Sequence, residues 1–103
     1  MYNTYLLTYN PLMIDPSPQR LFEYIRAHAF TYQYYVHHFG SVYIKSHVDI
    51  HEMIKTYRDF LTPNIWTVVQ LQDPQFSTGG SAPMAFWDWL NSANPPALEG
   101  PTK

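Results

Sequence analysis

A small α+β domain is predicted by three observations. Strand and helix signals alternate in the order β-α-β-β-α-β, two helix N-termini carry capping residues, and the first strand ends abruptly at Asn10-Pro11. That order is the split βαβ pattern of a ferredoxin-like fold: a four-stranded antiparallel sheet with two helices on one face, here followed by a short C-terminal helix. At 103 residues the chain holds one core. The folded domain is expected over 1–91, with 92–103 a disordered tail rich in Pro, Ala and Gly.

Tyr2 to Tyr9 is nearly apolar throughout, as a central strand should be. A loop from Pro11 to Pro16 follows. Ser17 then caps a helix with Pro18 in its first turn, and Leu21, Ile25 and His28 carry the helical spacing to about Ala29. Thr31 to His38 and Ser41 to Ser46 read as strands about a bend or bulge at Phe39-Gly40, as either a hairpin or one bent pair. Asp49 and Glu52 fit a capping box, and Met53, Ile54, Tyr57, Phe60 and Leu61 mark the buried side of a helix that ends before Pro63. Asn64 to Leu71 supplies the fourth strand. After a Gly- and Ser-containing loop from Asp73 to Ser81, Pro83 opens a helix bearing Phe86, Trp87, Trp89 and Leu90. Two helices cover only one sheet face, so the other calls for a cover, and a second copy of the chain is the expected one.

Composition narrows the partners. Charged residues are only 14% of the chain while aromatics are 17%, nine of them tyrosine, which suits interfaces and stacking surfaces. Six Lys and Arg residues and a net charge of −2 do not build an extended phosphate-binding face, so broad nucleic-acid binding is not expected. There is no cysteine, hence no disulfide or thiolate metal site. No apolar run approaches the length of a membrane span, and a cytoplasmic protein without membrane association is expected.

Three segments resemble the SinR family of small bacterial proteins, relatives of the VapD toxins and of the smaller subunit of the CRISPR adaptation complex. These are Tyr5-Leu6-Leu7-Thr8-Tyr9, His37-His38 with Ser41-Val42-Tyr43-Ile44-Lys45-Ser46, and Trp87-Asp88-Trp89-Leu90-Asn91. The resemblance implies a ferredoxin-like homodimer in a bacterial or phage defence, anti-defence or toxin–antitoxin setting. In many relatives strand one ends in tyrosine and aspartate, and the paired aspartates are proposed to hold a divalent metal. Here Tyr9 is followed by Asn10, whose carbonyl carries no charge for a hard cation. The departure argues against a nuclease, and the chain reads as a non-catalytic binding protein without a cofactor.

Each candidate residue has a functional and a structural reading. His37 or His38 could serve as acid, base or phosphate contact, or one could pack while the other is a surface residue. Asp15 could replace the missing carboxylate beside Asn10, or belong to the turn before Ser17. His47 and His51 are four apart, but a cap at Asp49 places His47 outside the helix, so they do not form a zinc pair. Gly79 and Gly80 could offer amides to an anion, although the loop lacks the lysine of a phosphate-binding loop. Phe86, Leu90 and one of Trp87 and Trp89 are expected to cover the core, the other tryptophan facing an interface or a stacked ligand. With Tyr9 and Tyr43 these complete the ligand or interface set. The partner would be a protein or a small nucleotide. The alternatives are a metal- or histidine-dependent ribonuclease of the same fold and a nucleotide-sequestering sponge.

Overall fold

The computed structural model describes residues 2–28, 31–73 and 78–92, and for Tyr32, Gln33, His37 and His38 the backbone alone. The elements are β1 (Asn3–Tyr9), α1 (Pro18–Ala27), β2 (Thr31–His38), β3 (Ser41–Ser46), α2 (Ile50–Leu61), β4 (Trp66–Leu71) and α3 (Met84–Asn91). The strands form one antiparallel sheet in the order β2-β3-β1-β4. The predicted tail lies outside the described residues beyond Ser92.

Both N-cap side chains act as acceptors where the sequence places them. Ser17 Oγ accepts from the Arg20 N–H, and Asp49 Oδ1 accepts from the Glu52 N–H at 2.9 Å. The first helix is shorter than its apolar spacing suggests. His28 turns to extended backbone, its N–H donating to the Ile25 carbonyl, so α1 stops at Ala27. The fourth strand begins late for a similar reason: the Asn64 N–H donates to the Leu61 carbonyl, which commits Asn64 to the turn leaving α2. The β2–β3 segment is a hairpin turning at Phe39-Gly40, and β2 carries register shifts between Thr31 and Gln33 and between Val36 and His38.

Period-two alternation sorts the strand residues onto two faces. Tyr5, Leu7 and Tyr9 of β1, Val42 and Ile44 of β3, and Tyr34 of β2 turn towards α1 and α2. There they join Leu21 and Ile25 of α1 and Met53, Tyr57 and Leu61 of α2 in the main core. The two helices lock together through Tyr24, whose ring stacks on Phe60 with centroids 4.1 Å apart and whose hydroxyl donates to the Thr56 carbonyl. A smaller core on the opposite face comprises Phe86, Trp89 and Leu90 of α3 against Tyr35 and Tyr43. The cover expected from a second copy is therefore supplied, over the β2–β3 half of this face, by the chain's own C-terminal helix.

Candidate functional site

The second sheet face gathers an aromatic cluster and a buried lysine. Alternation brings Tyr35, Tyr43 and Lys45 to it from β2 and β3, and α3 lies across them. Phe86 is the pivot: its ring stacks on Tyr35 at 5.2 Å and meets Tyr43 and Trp87 edge-on, both at 5.0 Å. Lys45 is only 4% exposed. Its ammonium donates to the carbonyls of Leu90 at 2.9 Å and Ser92 at 2.8 Å, and it lies 5.4 Å from the centre of the Trp89 ring. Those carbonyls lie at the C-terminus of α3, where a cation is favoured. Burial holds the ammonium pKa below its ordinary value.

Four residues singled out in the sequence converge beside this helix. Tyr43, Gly79, Gly80 and Trp87, with Thr78, Ser81 and Ala82, line a recess of about 120 Å³ at the entry to α3. Gly80 holds φ 139°, a conformation side chains rarely adopt, with open space where a Cβ would sit. Two other members of the set do not belong to the recess lining. Tyr9 is buried on the opposite face with its ring edge against Phe22, and burial raises its phenol pKa. Trp89 is buried under α3, and its indole N–H has no hydrogen-bond partner among the described residues.

Asn10 and Asp15 fall in the loop that follows β1, and both are exposed. The Asn10 side-chain carbonyl accepts from the Leu12 N–H at 3.0 Å, an Asx turn that shapes the loop. The Asp15 backbone carbonyl accepts from the Asn64 side-chain amide at 2.9 Å. His47 lies before the α2 cap with its ring 4.0 Å from Tyr2, while His51 is exposed in the first turn, so the two do not converge. No cluster of three or more metal-ligating residues occurs among the described residues. His37 sits at the β2 register shift and His38 opposite Ser41; their side chains lie outside the described residues.

Sequence reading missed the apolar end of the molecule. Leu12, Ile14 and Phe39 are 80%, 89% and 71% exposed. Their loops are tied into one surface. The Tyr9 N–H donates to the Gly40 carbonyl, and a Cβ on Gly40 would come within 3.4 Å of the Pro11 ring. The local signal at Asn10, Asp15 and Gly40 is turn chemistry, which carries no information on whether Leu12, Ile14 and Phe39 beside them are buried. Comparison of the chain with family models, curated proteins and solved structures gives no match.

Proposed function

We propose that this chain is a ferredoxin-like, non-catalytic binding protein that works as a homodimer and recognises a protein partner through its apolar loop end. The sheet order β2-β3-β1-β4 with α1 and α2 on one face supports the ferredoxin-like reading. The observation that carries recognition is the exposure of Leu12, Ile14 and Phe39 on two loops that meet where Gly40 approaches Tyr9 and Pro11. Scattered exposed apolar residues are ordinary, whereas a cluster held by linked loops marks an interaction surface. The defence, anti-defence or toxin–antitoxin setting rests on the SinR-like and VapD-like resemblance, and a cytoplasmic location accords with it. No described helix is long and apolar enough to cross a membrane.

A small-ligand reading has one observation in its favour, the meeting of Tyr43, Trp87, Gly79 and Gly80 about the recess. At about 120 Å³ the recess would admit an anion or a ring edge more readily than a whole nucleotide.

Affinity capture from a bacterial lysate, with the wild-type chain and Leu12→Asp/Ile14→Asp as baits, tests the leading reading. A protein enriched by the wild type and lost with the variant is expected. Identical capture by both baits refutes the loop surface. A parallel fluorogenic RNA and DNA cleavage assay with magnesium and manganese should show no turnover. Turnover that disappears in His37→Ala or His38→Ala would overturn the non-catalytic assignment, and stabilisation by nucleotides in a thermal-shift screen would favour the recess.

A further inference from the structure

Among the described residues the outer edge of β4 is unpaired, and its hydrogen-bond pattern can be read from two contacts. The Asn10 N–H donates to the Ile65 carbonyl, in register with the β1–β4 ladder. The Tyr9 N–H donates instead to Gly40, on the β3 side. Since an antiparallel strand turns its backbone groups to alternate neighbours, Thr67, Val69 and Leu71 bond inward to β1. The N–H and C=O groups of Trp66, Val68 and Gln70 therefore point outward from the sheet.

This edge lacks the devices that keep edge strands apart. Its sequence, WTVVQL, has no charge and no proline, and its pairing with β1 is unbroken over Trp66–Leu71. The other edge, β2, carries two register shifts that interrupt its ladder. Ile65, just before β4, is 81% exposed, and Val69 within it 47%.

We infer that β4 pairs antiparallel with β4 of a second copy about a two-fold axis at Val68, making one eight-stranded sheet. The inference rests on the homodimer reading and names its interface. Two-fold antiparallel pairing sets directly opposite residues on the same face, so the axis must pass through a residue and not between two. Centred on Val68, the register sets Val68 against Val68 and Trp66 against Gln70 of the other copy. Every outward N–H and C=O of the three residues then gains a partner. On the face shared with α3, the same register sets Thr67 against Val69 and the exposed Ile65 against Leu71. A centre at Trp66 or Gln70 would leave part of that ladder unpaired. A foreign extended peptide could use the same groups, but only a second copy supplies the matching apolar residues by symmetry.

The test uses sedimentation of the full chain at tens of micromolar, where a dimer is expected. Val68→Pro removes an outward N–H that no β1 group uses, so it should weaken the dimer about hundredfold. Val68→Cys, the only cysteine in the chain, should form an intermolecular disulfide on mild oxidation. If Val68→Pro loses its circular dichroism spectrum, Thr67→Lys/Val69→Lys decides instead. That variant should be monomeric and should form a heterodimer when mixed with Thr67→Glu/Val69→Glu. A wild-type monomer overturns both the interface and the homodimer reading, including one that associates only with added synthetic WTVVQL peptide. A dimer that survives these substitutions and gives no Val68→Cys cross-link overturns the β4 interface while the homodimer stands.

Discussion

Replacing Lys45 by Met should loosen α3 selectively. Methionine keeps most of the apolar stem against Trp89 but removes the ammonium that joins β3 to the carbonyls of Leu90 and Ser92. The Leu90 carbonyl is buried, so leaving it without a donor costs about 1–3 kcal/mol, and loss of the cation–aromatic contact adds about 0.5–1 kcal/mol. Ser92 can turn to water and adds little. Relief of the ammonium's own burial, the cause of its lowered pKa, acts in the other direction. A net loss of about 2 kcal/mol is expected, a factor of about 30 in the opening equilibrium of the helix. Native-state hydrogen exchange resolved by residue is the assay. Amides of Asp88 to Asn91 should exchange at least tenfold faster, while those of Leu6 and Leu7 in central β1 change by less than threefold. Equal acceleration in β1 and α3 would refute the reasoning, because the small core would then open only with the whole molecule. Unchanged α3 protection would show that the aromatic contacts hold the helix without the lysine.

Gly40→Ala should lower stability by about 2 kcal/mol, or roughly 10 °C in Tm, because the residue sits at φ 102° and a Cβ would meet the Tyr9 carbonyl at 3.3 Å. Tyr57→Phe should be neutral or stabilising by up to about 1 kcal/mol in urea unfolding, since its buried hydroxyl faces Thr31 without a well-formed hydrogen bond; a loss above 1 kcal/mol would show a bond there. Alkali should unfold the protein. Burial raises the phenol pKa of Tyr5, Tyr9, Tyr24 and Tyr57 above 10.0, so the folded state holds protons that the unfolded chain releases, and stability is lost as pH rises past 10.0. Lys45 has the opposite sign, its burial cost easing as pH rises towards 10.5, but one lysine stands against four tyrosines. Phenolate absorbance should therefore appear together with loss of circular dichroism; full ionisation of a still-folded chain would contradict it.

The elements were legible where local chemistry sets them. Ser17 and Asp49 cap helices through bonds made within three residues, and Gly40 turns a hairpin, so short windows of sequence carry those signals. Tyr9 belongs with Tyr5 and Leu7 in the main core, the face opposite Thr4, Leu6 and Thr8; its residue type hides this, because a tyrosine's apolar body and polar tip suit a core and an interface equally. Lys45 was legible only as part of a strand. Its partners lie 45 and 47 residues away at the end of another element, and no local pattern reports such a contact. The recess was half legible: its glycines and Trp87 stood out, but their approach to Tyr43 depends on α3 folding back across the sheet.

The division of the sheet between two separate cores has a consequence for modularity. Among the described residues Phe86, Trp89 and Leu90 pack on the face opposite α1 and α2, so α3 is an appended layer and not a part of the main core. The side chains that receive it, Tyr35, Tyr43 and Lys45, come from a hairpin whose alternate residues, Tyr34, Val42 and Ile44, serve the main core. One side of that hairpin can then diversify without repacking the other. A different C-terminal segment could replace α3 on the same six-element base, which makes the β2–β3 hairpin a socket for exchangeable attachments.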